Sequence, residues 1–419
     1  MTRNEDRENE VYYIGETNYR NERTRFGIKK KDRRSHMYII GKTGVGKSTL
    51  IKNLVIQNLK KGNGLALLDP HGDLAEDILD YIPEWRENDV IYFNPADRDY
   101  AVGFNVFEGV NSSNRHLVAS ELISVFKKLW SDSWGPRLEH ILRNSILSLA
   151  EYPGTTLLDL PRILVDAEFR KTVLLYVTDN QVKEFWMKEF EKYPANFRAE
   201  AIAPIQNKAG AFLTNSLTRN ILGQKRSAFN MREVMDSGKV LIANLAKGKI
   251  GEDTSMLLGS LLVTKIEQAA LSRADTPEEK RRDFYLYIDE FHTFTTGSFA
   301  DMLPEARKYR LCLILVHQYL EQIDEKTVAA IFGNAGTVIT FRTGARDAEY
   351  LAREFYPDFR VEDFINLPAY HIYLRLMIDG VASNPFSAAT LPPSDERSYI
   401  KEKVTDVSRK LHGKIMKAG

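Results

Sequence analysis

The sequence predicts an α/β fold: a mostly parallel central sheet with helices on both faces and an all-helical block inserted into it. Three observations predict it. Short apolar runs alternate with helical patterns from Met37 to Phe93. The alternation stops near residue 111 and resumes at Val240. A glycine-rich turn follows the first apolar run, where a strand would hand over to a helix. Parallel strands need long crossover connections, and helices in those crossovers cover both sheet faces.

Composition agrees. The chain has 419 residues, 43% apolar and 27% charged, which excludes disordered, collagen-like and coiled-coil classes. That length suggests two or three domains. Lys plus Arg is 58 against 57 for Asp plus Glu, a net charge of +1. The global charge therefore carries no sign of a nucleic-acid partner, and any such surface must be local. One cysteine, Cys312, excludes a disulfide framework, and its place in the apolar run Leu311 to Val316 makes it buried and inert. The charged N-terminus is no secretory signal, and no apolar stretch approaches the roughly 18 residues of a spanning helix. The chain reads as a soluble cytoplasmic protein.

Residues 1–34 form a polar, basic N-terminal segment; Arg20 to Arg34 carries eight Lys/Arg against two acids. Met37 to Ile40 reads as a strand, and residues 48–61 as a helix with Ile51, Leu54, Val55 and Leu59 on one face. Leu65 to Leu68 is the next strand, ending in Asp69-Pro70-His71-Gly72. A helix follows, with Asp73 as N-cap and Glu76 three residues on. Val90 to Phe93 is the third strand. From 111 to 232 apolar residues recur at helical spacing, and this block holds Trp130, Trp134 and Trp186. Val240 to Ala243 returns to the sheet, followed by a helix over about 254–272. Phe284 to Ile288, Leu311 to Val316, Val338 to Phe341 and Tyr370 to Leu376 complete the strands, and the chain from Ser394 reads as a mildly basic helix.

Gly41-Lys42-Thr43-Gly44-Val45-Gly46-Lys47-Ser48 matches G-x-x-x-x-G-K-[ST] in full. Glycines let the backbone wrap a phosphate and point N–H groups inward. The following helix aims its positive end at the same anion. Gly41 and Thr43 to Thr49 are the expected nucleotide-binding set, with Lys47 on the β/γ oxygens and Ser48 on Mg²⁺. The expected cofactors are ATP and Mg²⁺. Such a site needs an acid on a neighbouring strand, and Phe284 to Ile288 leads into Asp289-Glu290. Asp289 would serve the metal and Glu290 would orient or deprotonate the attacking water.

Other polar residues have two readings. Gln318 follows the Leu311 strand and reads equally as a γ-phosphate sensor or a water-facing helix start. Asp69 fits a turn acid before Pro70 better than a water or metal ligand. Arg307 and Lys308 precede the Leu311 strand, at the sheet's opposite edge, so Arg307 would reach only a neighbour's γ-phosphate or else face solvent. Arg342 and Arg346 compete for that role. His71, His292 and His317 lack metal-ligand spacing.

The ordered set resembles the conjugative type IV coupling proteins (TraD/TraG-like) and the HerA–FtsK superfamily of DNA-pumping ATPases. It comprises the phosphate loop from Ile39 to Thr49, Leu68-Asp69-Pro70-His71-Gly72-Asp73, Trp134-Gly135-Pro136-Arg137, Tyr287-Ile288-Asp289-Glu290-Phe291, Ala306-Arg307-Lys308 and Gln318. The resemblance implies a RecA-like P-loop domain over 35–110 and 233–393, an all-α inserted domain over 111–232, and a helical tail over 394–419. It implies catalytic roles for Lys47, Glu290, Gln318 and Arg307, the last in trans. It further implies a hexameric ring with DNA in its channel, and a relaxase complex or secretion channel as partner. Membrane-anchored members carry transmembrane helices, and this sequence has no such stretch. It reads as a soluble relative, or one that docks on a membrane partner. Candidate DNA contacts are Arg20 to Arg34, Lys247-Gly248-Lys249 and Lys225-Arg226.

An ATP-driven translocase is the first functional expectation. A nucleotide-gated receptor without pumping is the second, and Glu290 beside Asp289 favours the first. A monomeric P-loop enzyme on a small substrate lacks a second small-molecule signature.

Overall fold

A computed structural model describes residues 8–18, 23–112, 114–297 and 299–416. The chain forms two compact units. The first takes Met1–Phe93, Met231–Ala246 and Ala269–Ser408; the second takes Asn94–Asn230, Lys247–Gln268 and Arg409–Gly419. In chain order the strands begin with β1 (Val11–Thr17), β2 (Arg25–Lys29), β3 (Met37–Ile40), β4 (Gly64–Asp69) and β5 (Val90–Phe93). Next come β6 (Tyr100–Val102), β7 (Val240–Asn244), β8 (Phe284–Ile288), β9 (Leu311–His317) and β10 (Thr337–Thr340). The last are β11 (His371–Arg375), β12 (Met377–Ile378), β13 (Val381–Ala382), β14 (Phe386–Thr390) and β15 (Gly413–Ile415).

The first unit is built on an eleven-stranded sheet of order β2-β1-β14-β11-β10-β3-β9-β8-β4-β7-β5. From β10 to β5 every neighbouring pair is parallel. Every residue of β3, β4, β7, β8, β9 and β10 is buried, as the apolar runs demand when both faces are covered. From β10 outward, β11, β14, β1 and β2 pair antiparallel. β11 alternates buried and half-buried residues, the mark of a strand covered on one face. Cys312 is fully buried, and burial pushes its thiol up to about 12, so it stays protonated.

The basic N-terminal segment is not a separate element. Its described residues form the edge strands β1 and β2, and several of its charges are paired within the unit. Arg25 pairs with Glu16 at 3.0 Å, and Lys29 and Lys31 pair with Asp379 at 2.7 and 2.8 Å. Arg34 binds Asp283 at 2.8 Å and Glu8 at 2.7 Å. Arg33, 4% exposed, lies between the rings of Tyr12 and Tyr285, 4.1 and 4.0 Å from their centroids. It donates to Asn58 Oδ1 and to Tyr287 Oη, both at 2.8 Å. Within the expected DNA-contacting stretch Arg20 to Arg34, Arg33 and Arg34 are therefore corrected, being held inside the unit. Arg33 ties the phosphate-loop helix to the acid-bearing strand β8; Arg20 itself lies outside the described residues.

Between β6 and β7 the described elements are all helices, the longest being Arg115–Leu129, Pro136–Glu151 and Ala195–Thr214. Trp130 and Trp186 are buried, and Trp186 donates to Ser148 Oγ at 2.8 Å. The second unit is larger than the predicted helical block and not wholly helical. It adds residues 94–110, 247–268 and 409–416, and β15 pairs with β6. The stretch from Ser394 is thus more than a helical tail: its helix, Lys401–His412, leads into a strand. Among the described residues no helix is long and apolar enough to cross a membrane.

Candidate nucleotide site

β3 ends at Ile40, and the phosphate loop springs from it. Gly41 N donates to His317 O at 3.2 Å and Lys42 N to Arg342 O at 2.9 Å, so the strands on either side of β3 anchor the loop's start. A Cβ on Gly41 would stand 2.6 Å from Phe341 Cβ, so only glycine fits. Gly46, at φ 114°, caps the helix Lys47–Lys60. Lys47 is buried and its Nζ donates to Gly41 O at 2.6 Å and Lys42 O at 2.8 Å, leaving one ammonium N–H for a further acceptor. Ser48 and Thr43 are exposed beside the helix's first turn, whose N–H groups lack intrahelical acceptors.

The acids converge on the same rim. Asp289 and Glu290 follow β8 and are 8% and 6% exposed. Asp289 N donates to Leu68 O at 3.1 Å, continuing the ladder past Ile288, and Glu290 N donates to Asp289 Oδ1 at 3.0 Å. Burial, then the nearby Asp69 and Glu290 charges, push the Asp289 carboxyl up to about 7, against a pull down from Lys47. Burial lowers Lys47 below the usual lysine range, while Glu290 and Asp289 hold it up. One cation thus sits in the field of acids that repel each other, and a divalent cation at Asp289 would relieve that repulsion. Among the described residues no three His, Cys, Asp or Glu side chains form a cage. Asp289 and the exposed Ser48 hydroxyl are the groups here that could hold Mg²⁺ beside phosphate oxygens.

β9 runs between β3 and β8, with Ile40 opposite His317 and Ile288 opposite Leu315. Gln318 therefore emerges level with Gly41, and its Nε2 donates to Glu290 Oε1 at 2.5 Å. Of its two readings, the water-facing helix start is not the one adopted. His292 Nδ1 lies 3.5 Å from the other Glu290 oxygen, and the His292 and His317 rings are 5.4 Å apart. Burial first, then His292 and Lys47, lower His317 to about 3, so it is neutral. Glu290 itself has φ 47°, a left-handed conformation that a non-glycine residue adopts only under constraint. Asp69 is fully buried and accepts from His71 N at 2.8 Å and Ala75 N at 2.9 Å. It performs the capping expected of Asp73, which is instead the first residue of its helix, Asp73–Ile78.

A family profile, the type IV secretion-system coupling protein DNA-binding domain, matches residues 23–359. The chain belongs to that family. Solved structures share its fold. The plasmid coupling protein TrwB in complex with a non-hydrolysable GTP analogue superposes with TM-score 0.62 at 18% identity, over 89% of each chain. TrwB in complex with ADP and Mg²⁺ gives TM-score 0.60 at 18% identity, over 88% of each chain. VirB4 of Thermoanaerobacter pseudethanolicus gives 0.62 at 12% identity, covering 91% of this chain and 96% of that one. Compared with curated proteins, the sequence has no significant match.

The remaining candidates of this coupling-protein-family chain divide between the rims of the sheet. Arg307 is exposed just before β9, at the rim where the parallel strands begin. β9 is seven residues long, so Arg307 stands roughly 20 Å from its own phosphate loop. Its charge falls on His36, which burial first and then Arg307 lower to about 4. Lys308 pairs with Glu305 at 2.9 Å. Arg342 and Arg346 lie at the nucleotide rim, after β10; Arg346 pairs with Glu321, and Arg342 is half-buried. Lys225, Arg226, Lys247 and Lys249 are exposed in the second unit. Sequence spacing gives His292, His317 and Tyr370 no role at the rim. The signal for His317 was parallel register, which sets it opposite the last residue before the loop.

Proposed function

We propose that this chain is an ATP-driven DNA translocase, a coupling ATPase that works as a ring-shaped oligomer, a hexamer by family resemblance. The observation that carries the reading is the gathering of Lys47, Asp289, Glu290 and Gln318 at one sheet rim within a coupling-protein-family chain. Gly41 and Thr43 to Thr49 hold the triphosphate, Lys47 neutralises its terminal charge, and Ser48 with Asp289 holds Mg²⁺. The ion would supply charge neutralisation of the developing transition state. Glu290 takes the proton of the attacking water, and Gln318, hydrogen-bonded to it, links that carboxylate to the γ-phosphate. Arg307 completes a neighbour's site across a subunit interface.

Lys225, Arg226, Lys247 and Lys249 are the DNA contacts, sequence-independent and salt-dependent. The residue 111–232 block crowns the ring and chooses partners such as a relaxase complex or a secretion channel. The protein works in the cytoplasm, at the inner membrane face only through such a partner. The test is ATP hydrolysis against added single- and double-stranded DNA, with mass measured in the presence of nucleotide. DNA stimulation in a ring-sized species, abolished by Lys47→Ala, is expected. Slow turnover indifferent to DNA would replace the pump with a nucleotide-gated receptor.

A further inference from the structure

The hydrolytic groups occupy only one flank of the phosphate loop. Asp289, Glu290 and Gln318 follow β8 and β9. The other flank is formed by β10 and then β11 and β14, which run antiparallel. Antiparallel pairing brings the start of β11 and the end of β14 to the nucleotide rim. Tyr370, the residue before β11, sits there.

Three features set Tyr370 apart. Its φ is 65°, in the left-handed region that disfavours a bulky side chain. The conformation is held from both sides: Tyr370 N donates to Val45 O in the phosphate loop at 2.8 Å, and Thr390 N donates to Tyr370 O at 2.8 Å. The ring's edge lies on the loop, since a Cβ on Gly46 would stand 2.8 Å from Tyr370 Cδ1. Yet the residue is 52% exposed. Asn or Gly would fill this turn at lower backbone cost. The turn instead presents a half-open aromatic surface.

With the γ-phosphate drawn to Glu290 and Gln318, the nucleoside must leave the loop on the opposite flank, where this ring stands. We propose that Tyr370 is the base platform of the site, stacking the purine of the bound nucleoside triphosphate. The inference rests on the nucleotide-site reading above. Stacking reads the π-face of a base and leaves phosphate recognition to the loop.

The experiment is calorimetric titration of the full chain with Mg-ATP and, separately, with magnesium tripolyphosphate, which has phosphates but no base. Tyr370→Asn tolerates the positive φ and removes the ring. It should weaken ATP by about tenfold to a hundredfold, the effect of losing one stacked base, and leave tripolyphosphate binding unchanged. Tyr370→Phe should bind both ligands as the parent does. Unchanged ATP affinity in Tyr370→Asn overturns the proposal. So does an equal loss for both ligands, which would make the ring a brace for the loop. Lys47→Ala separates the two ideas: if it leaves tripolyphosphate binding intact, the phosphate site itself fails, whatever Tyr370 does.

Discussion

The two rims of the parallel sheet handle charge in opposite ways. At the rim where the strands begin, every buried charge has a partner or a ring. Arg34 forks onto Asp283 and reaches Glu8, Arg310 joins Asp283 at 3.7 Å, and Arg33 is clasped by Tyr12, Tyr285, Tyr287 and Asn58. His36 is neutral, with Leu303 O and Leu313 N on its two ring nitrogens at 2.9 and 3.2 Å. At the rim where the strands end, Asp69, Asp289 and Glu290 crowd against a single buried Lys47, and Asp289 holds its proton up to about 7. The first rim secures the fold. The second is electrostatically unbalanced, and ligand charge would complete it. Arg307 breaks the pattern: it stands at the balanced rim, exposed, and makes no ion pair among the described residues.

If this contrast is sound, changes at the ending rim cost activity and changes at the starting rim cost stability, with Arg307 the exception. Two equally large effects are expected, one at that exception and one at the ending rim. Arg307→Ala should lower turnover by about 10³-fold with ATP affinity and melting temperature near the parent's. Mixing it with Lys47→Ala protomers should restore part of the activity; absence of rescue removes the trans role. Glu290→Gln should lower turnover by about 10³-fold while ATP still binds, and normal turnover would take Glu290 out of the chemistry. At the starting rim, Arg33→Met should cost about 3 kcal/mol in denaturant unfolding, because Asn58 and Tyr287 lose their buried partner. Its DNA affinity should not change; a DNA defect without a stability loss would return this segment to the DNA surface.

The smallest effect has the opposite sign. A carboxyl whose folded pKa is raised binds protons more tightly folded than unfolded, so its contribution to stability falls as pH rises from the ordinary carboxylate range to about 7. Without nucleotide or Mg²⁺, Asp289→Asn should therefore raise stability at pH 8, and the gain should vanish near pH 4. A loss at pH 8 would mean that the ending rim is as well balanced as the starting one.

The parallel half of the sheet was legible because both its faces are covered. Its strands are continuous apolar runs, and β3, β8 and β9 lie where those runs predict. The edge strands β1, β2 and β14 were not, because one-sided strands alternate polar with apolar and read as irregular chain. Arg20 to Arg34 read as a basic surface for a related reason: composition counts charges, while partners such as Asp283 and Asp379 arrive from some 250 or 350 residues away. The helix start after β4 was legible, but the capping acid proved to be Asp69 rather than Asp73.

By itself, the sequence determined the glycine loop between strand and helix and the acid pair after an apolar run, because both are local patterns. Tertiary structure alone decided what surrounds them. Parallel register set Gln318 level with Gly41 and on Glu290, the approach of β8 and β9 joined His292 to His317, and antiparallel return of β11 brought Tyr370 to Gly46. Register and strand order arise from packing between distant segments, and no local pattern encodes them.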